Sequence, residues 1–330
     1  MGQGGMSIGK RILGTIVIPL IALLVTWTVC AAKGVTLFES TSNWIAFFRA
    51  TASVMLTTFA LSINLNSGRF DFSIGSIALL SSVISSMICI NCGWSAVTML
   101  VLTVVIGFAL GLISGGIYIL TKLPPIIVSL GVTLLFEGTA FVLTGGYGVS
   151  FVTNTKLTGF PSIGNYLLII VIGLAVVVFL YDYTKYGYEY KALLSGQDVS
   201  VHMGIKEIPN TLASYAIAGA LMGVVGFISS TNTGTIQMSL NFGSIGVMFT
   251  AFLPMFIGGF IGRFCNDKVG YLLGAMTTAF ISLMYARLKM DSSVQQIITA
   301  LILVLFLIYL NNENKLAGLR AKKSRPDQSR

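Results

Sequence analysis

Few groups in this sequence are able to do chemistry, and three of them are charges set in or beside apolar runs. Glu137 stands in "LLFEGTAF", Arg49 in "FFRATASV", and Asp71 in "LNSGRFDFSIGS", Leu65 to Ser76. A charge at the middle of a bilayer costs about 2.5–3.5 kcal/mol on insertion scales. Arg49 and Glu137 are therefore expected to pair with each other or to face an aqueous path. Asp71 has a different task open to it. With Ser73 it can cap a helix that starts there, satisfying the first free N–H groups and meeting the positive helix end. Gly68 lets the chain turn just before. Asn64, Asn66, Asn241, Gln295 and Gln296 are neutral polar residues that suit either a translocation path or hydrogen bonds between helices.

Enzyme chemistry finds no constellation. His202 is the only histidine and has no catalytic neighbours, so no Ser/His/Asp set or metal cluster can be assembled. Cys89 and Cys92 form a CxxC with no second pair, which reads as apolar cysteines. Gly4 to Lys10, GGMSIGK, fits GxxxxGK, but Arg11 follows it and no strand precedes it, so it is not a phosphate loop. No cofactor is implied. If ATP drives this protein, a separate chain binds it.

The elements that must position these residues follow from composition. Apolar residues make up 55% of 330 and charged residues 9%, against about 25% charged in soluble domains. Mean hydropathy is +0.88. The solvent for such a chain is lipid. Its net charge of +9 does not imply nucleic acid, because the basic residues flank apolar segments instead of covering one face. Ten candidate spans can be counted: 12–32, 44–64, 72–90, 94–120, 124–144, 165–183, 210–231, 244–262, 269–287 and 294–310. The first follows Lys10 and Arg11 as a signal peptide would, but its length and the later spans make it a retained helix. With the N-terminus inside, 15 of the 20 Lys and Arg fall in the cytoplasm and four outside, with Arg49 in a span. That asymmetry fits the positive-inside rule. The expectation is an all-α integral membrane protein in the plasma membrane. Residues 1–11 form a cytoplasmic N-terminus, 12–310 the transmembrane domain with 182–210 as a cytoplasmic segment, and 311–330 a basic cytoplasmic tail.

Two short patterns recur half a chain apart. "SIG" at Ser73–Gly75 returns at Ser244–Gly246, and "FALG" at Phe108–Gly111 returns as "YLLG" at Tyr271–Gly274. Each pair lies five spans apart, so the copies run oppositely through the bilayer. This is the inverted repeat of transporters, whose substrate moves near the interface of the halves.

The motifs also carry a resemblance. "SGRFDFSIGS" and "ALGLISGG", then "KLPPIIVSLGVTLLFEGTAFVLTGG" from Lys122 to Gly146, and later Ser292, Ser293, Gln295, Gln296 and Ile297, occur in the order seen in permease subunits of bacterial sugar ABC importers. These belong to the branched-chain amino-acid/sugar permease superfamily, ribose/xylose type. The resemblance runs from about residue 45 to 310. Gly68, Asp71, Ser73, Gly75 and Ser76 fall on the family's motif at the helix start. Arg69 replaces a glycine of that motif, and Glu137 stands where arginine is frequent. The resemblance implies about ten helices, as in vitamin B12-type importer permeases. It implies as partners a separate ABC ATPase, an extracytoplasmic solute-binding protein and a second permease copy or sister permease.

The polar stretch Tyr181–Asn210 then acquires a role. Ala192–Leu194 and Val199–Met203 are expected to form short amphipathic turns broken at Gly196 and Gly204. In the resembled family this place holds the coupling helix that seats in the ATPase. Gly196, Gln197, Asp198, Gly204 and Ile205 match its outline, and His202 lies within it. The expected function is translocation of a sugar or related small polar solute by alternating access. The alternatives are an ion-coupled secondary transporter, for which Glu137 is the one intramembrane acid, and an ABC permease for a nucleoside or amino acid.

Overall fold

Inside lipid a backbone N–H or C=O has no water to bond, so a spanning chain is driven into helices. The computed structural model describes residues 8–323. Residues 1–7 of the expected N-terminal segment and 324–330 of the expected tail lie outside the described residues, as does most of GGMSIGK. The helices are α1 (Ile8–Ala32), α2 (Thr41–Asn66), α3 (Ile74–Cys92), α4 (Ala96–Thr121), α5 (Pro125–Thr144), α6 (Thr155–Thr158) and α7 (Ile163–Asp182). They continue with α8 (Lys185–Ser195), α9 (Gln197–His202), α10 (Glu207–Thr233), α11 (Gly246–Phe249), α12 (Phe252–Gly262), α13 (Asp267–Arg287) and α14 (Ser292–Lys323). Two short strands, β1 (Val149–Ser150) and β2 (Thr235–Ile236), pair antiparallel.

Among the described residues, ten helical segments are long and apolar enough to span, and they coincide with the ten read from the sequence to within about three residues. Their ends show why they stop. Lys122 and Gly145 are left-handed at the ends of α4 and α5, and Pro125 occupies the first turn of α5. Ser162 and Asn266 cap α7 and α13 by accepting backbone N–H bonds. Two segments differ from the sequence reading. The eighth span is broken into a 3₁₀ turn at Gly243–Ile245, then α11 and α12. The last helix continues past 310 to Lys323, into the expected tail.

α10 and α3 are the most enclosed spans, while α1 and α14 lie on the rim. α4 packs on α10 backbone to backbone: a Cβ on Gly107 would lie 2.4 Å from the Gly219 carbonyl oxygen, and one on Gly111 2.3 Å from that of Tyr215. Small residues permit such approach where apolar burial offers no drive between helices in lipid. The inverted repeat is visible in the packing. α4 contacts α10, and their counterparts five spans away, α13 and α2, contact each other; α3 packs on α4 as α12 packs on α13.

Loops collect at two ends, alternately along the chain. At one, Arg11 reaches the Phe264 carbonyl, Asn66 the Tyr271 hydroxyl, Asp182 binds Asn266, and Arg69 donates to Thr211. At the other, Arg287 binds Glu39 and the Thr36 carbonyl, and β1 pairs with β2.

Candidate functional site

The first of two helix breaks lies between α2 and α3. Gly68 turns the chain at φ +72°, and the Arg69 N–H bonds the Asn64 carbonyl at 2.9 Å. Asp71 is then buried, 2% exposed. Its Oδ1 accepts from the Ser73 N–H at 2.9 Å and from Ser73 Oγ at 2.6 Å, and Asn64 Nδ2 donates to Oδ2 at 3.3 Å. Ser73 is the N-cap of α3, but its side chain accepts no helix N–H. Asp71 holds the N–H and Oγ of Ser73 itself, so the capping of the first free helix N–H groups expected from the sequence is not formed, and Ser73 Oγ also meets Ser114 Oγ of α4 at 3.0 Å. Asn64 Oδ1 is buried and has no hydrogen-bond partner among the described residues.

The second break is at Phe242–Ile245, before α11. Asn241 and Phe242 are both left-handed, and the exposed amides this leaves are taken up by Glu137 of α5. Its Oε2 accepts from the Phe242 N–H at 3.0 Å. Its Oε1 accepts from the Ser244 N–H at 2.8 Å and from Ser244 Oγ at 2.5 Å. Glu137 is fully buried, so these bonds replace the water a carboxylate would otherwise require. Ser73 and Ser244, the two repeat-related serines, are therefore each held at N–H and Oγ by a buried carboxylate.

The two breaks touch. A Cβ on Gly75 would sit 2.0 Å from the Ser244 carbonyl oxygen, so glycine is needed for contact between the two S-I-G segments. Around them runs a polar seam. Ser129, Thr133 and Glu137, four residues apart, share one buried face of α5. On α3, Ser76, Ser81, Ser82, Ser85 and Ser86 are buried, their hydroxyls donating to carbonyls one turn back. Each such hydroxyl keeps lone pairs free to accept. A core rich in hydroxyls inside a lipid-facing exterior suits passage or binding of a polar solute, and it holds no nucleophile paired with a base.

The sequence-predicted path residues do not assemble here as a set. Glu137 is central, but its acceptors are used by Phe242 and Ser244, and it forms no ion pair with Arg49. Arg49 is half-buried on α2, close enough to Tyr166 of α7 to act on it electrostatically. Asn66 is at the basic end, Asn241 forms part of the second break, and Gln295 and Gln296 stand on rim helix α14, where Gln295 Nε2 donates to the Met290 carbonyl. The residue that sequence reasoning missed is Ser244 as the partner of Glu137. The repeated S-I-G was the signal for it.

At the basic end, 182–210 forms α8 and α9. Gly196 divides them, and Gly204, at φ +92°, ends the segment beyond α9. Gln197 Nε2 donates to Glu207 at 2.8 Å, and the His202 ring bonds the Asp198 carbonyl at 2.6 Å. Val199 and Met203 are 65% and 73% exposed, an apolar pair at a solvent-facing corner. In α8 burial pushes the phenols of Tyr186 and Tyr190 above the ordinary tyrosine range.

A family model described as "Branched-chain amino acid transport system / permease component" matches residues 45–307. The chain belongs to this family. Similar curated proteins include the autoinducer 2 import system permease protein LsrC of Photorhabdus luminescens, 23% identical and covering 88% of each chain. The ribose import permease protein RbsC of Escherichia coli K12 is also 23% identical, over 89% of this chain and 93% of its own. No solved structure matches. The permease is thus a transport component and not an enzyme, and its ten helices are those of a multi-pass membrane protein. In this permease the match takes in both breaks and the α8–α9 segment.

Proposed function

We propose that this permease carries a small sugar or related polyhydroxy solute through the bilayer as one subunit of an ATP-driven importer. The observation that carries the reading is the meeting of two carboxylate-held helix breaks from opposite halves within a seam of buried hydroxyls. Broken helices at a repeat interface are where transporters hold cargo. Hydroxyls with free lone pairs, and the unpartnered Asn64 Oδ1, match a solute rich in O–H donors. The relatives' names, an autoinducer 2 permease and a ribose permease, point the same way.

The basic end faces the cytoplasm in this reading, with both termini there, and the other end faces outward. α8 and α9 dock on an ABC ATPase through Gly196, Gln197, Asp198, His202, Gly204 and Ile205, with Val199 and Met203 as the apolar contact. An extracytoplasmic binding protein supplies solute, and a second copy or sister permease completes the pathway. ATP binding and hydrolysis then bias the inward- and outward-open populations.

The test is uptake of labelled ribose into vesicles holding the permease with its partner ATPase. Uptake should stop on ATP depletion and survive proton and sodium ionophores. Uptake that needs a gradient and not ATP replaces this reading with a secondary transporter. A thiol reagent applied from outside should fail to reach Lys191→Cys in intact cells; labelling would reverse the orientation.

A further inference from the structure

Away from the central seam the chain carries a groove of about 490 Å³. α7 packs on α2 and α10 packs on α4, and the groove opens between these two pairs. Every residue lining it is apolar, and Ile172, Val176 and Phe108 of its walls are exposed. On α7 the lining runs from Ile169 to Leu180, about 16 Å at the helical rise. That is about the thickness of one leaflet, half of a hydrocarbon core of about 30 Å. The floor is the contact of α2 with α7, where Gly173 lets the helices approach: a Cβ there would lie 3.0 Å from Leu56 Cδ2.

Two polar side chains stand at one end of this floor. Arg49 lies two helical turns before Leu56 on α2, and Tyr166 two turns before Gly173 on α7, so both belong to the faces that form the floor. Both helices begin at the end of the molecule where Arg287 binds Glu39 and β1 pairs with β2. Side chains lean toward the N-terminus of their helix, so both lean toward that end. Trp44, earlier on α2, stacks on Phe38 there, and tryptophan sits at the headgroup level. Arg49 has no ion pair or hydrogen bond among the described residues, and it is close enough to Tyr166 to act on it electrostatically. Tyr166 is fully buried, and its Oη has no hydrogen-bond partner among the described residues. Reaching up to water would satisfy the arginine. It would leave the buried phenol unsatisfied, which native structures rarely accept. One anion with several oxygens satisfies both.

We infer that a phospholipid is held at this place, its phosphate on the Arg49 guanidinium and the Tyr166 hydroxyl and one acyl chain along the groove. The planar guanidinium fork matches two phosphate oxygens, and the phenol donates to a third. The apolar wall starts at Ile169, one turn beyond Tyr166, so the cation and the hydrocarbon surface are continuous. A free anion would use the first and leave the second bare; a lipid uses both. It comes from the leaflet at the Arg287 end, the outer one in the orientation proposed above. The site itself does not depend on which solute the permease carries.

The test titrates the delipidated full chain in dodecyl maltoside and counts bound lipid by native mass spectrometry. Dioleoyl phosphatidylglycerol should occupy one tight site per chain. Dioleoylglycerol, with the same tails and no phosphate, should bind at least about tenfold more weakly, the worth of one charged hydrogen bond. Glycerol 3-phosphate, a head without tails, should not displace the lipid. Arg49→Gln should weaken the tight site by about tenfold, and Lys156→Gln, a cation at the same end, should leave it unchanged. Tyr166→Phe, which removes one hydroxyl, should weaken it by about threefold. Ala220→Phe, which fills the groove and keeps both polar groups, should abolish it, and this variant decides the matter if Arg49→Gln fails to fold. Equal binding of dioleoylglycerol overturns the phosphate site, as does a lipid held unchanged by Arg49→Gln or by Tyr166→Phe. Displacement by glycerol 3-phosphate, or tight binding that survives Ala220→Phe, overturns the place of the acyl chain. A second copy of the chain in the complex and no tight lipid gives the groove to a permease pair and overturns the lipid. Binding needs no ATPase and no uptake, so its failure is distinct from failure of the transport reading.

Discussion

The two helix breaks perform one task by different routes. At the first, the carboxylate and the serine it holds are two residues apart, Asp71 and Ser73. At the second, Glu137 comes from another helix, 107 residues before Ser244. The local bond needs only its own turn to be correct. The distant one exists only when α5 and the 242–246 segment are docked, so it reports on assembly of the two halves. A helix break held across halves can open as the halves move, while one held within its own turn travels with its helix. We expect the second break to be the moving one.

Four experiments break or sharpen this contrast. The largest effect is expected from Gly75→Ala, which drives a Cβ into the Ser244 backbone and leaves no side chain to yield. It should cost more than about 3 kcal/mol, the upper range for ordinary overpacking, read as lost folded yield and lost uptake; a normal melting temperature would show that the two breaks do not touch. Glu137→Ala comes next. It strands buried donors on Ser244 at about 1–3 kcal/mol each and should cut uptake more than tenfold, with Glu137→Gln recovering part of it. Asp71→Asn should cost only about 1 kcal/mol or less, since the amide oxygen still accepts the Ser73 N–H. If thermal melts place it below Glu137→Ala, the two breaks have been ranked in the wrong order. The smallest effect concerns Arg49. The exchange Arg49→Glu with Glu137→Arg should rescue nothing relative to the single changes, because Glu137 is spent on backbone amides; recovery of uptake would restore the pairing expected from sequence.

The same contrast decides what was legible. Ten spans are readable because apolar length alone specifies them. The bond between Asp71 and Ser73 is local and so within reach of sequence reading, but it holds the N-cap residue itself and not the first free N–H groups of α3. The partner of Glu137 was not, since sequence cost arguments ask only that a buried charge be satisfied, and backbone amides serve as well as an arginine. The break in the eighth span was masked by its unbroken hydropathy. Gln295 and Gln296 are polar, but the 297–310 stretch of α14 that follows them is apolar on every side, so no periodicity tells which face meets protein. Arg69 stands where the family motif has a glycine, yet it is buried and donates to Thr211 of α10, a contact between halves that no spacing announces.

The glycine contact of α4 with α10 has a mechanical consequence. With Gly107 and Gly111 against Gly219 and the Tyr215 backbone, no side chain separates the two helices at these points, and sliding would drive main chain into main chain. Rotation about the line of contact keeps the closest atoms together. That line is the natural axle of the molecule, and a bulky residue at Gly219 would jam the cycle without touching either helix break.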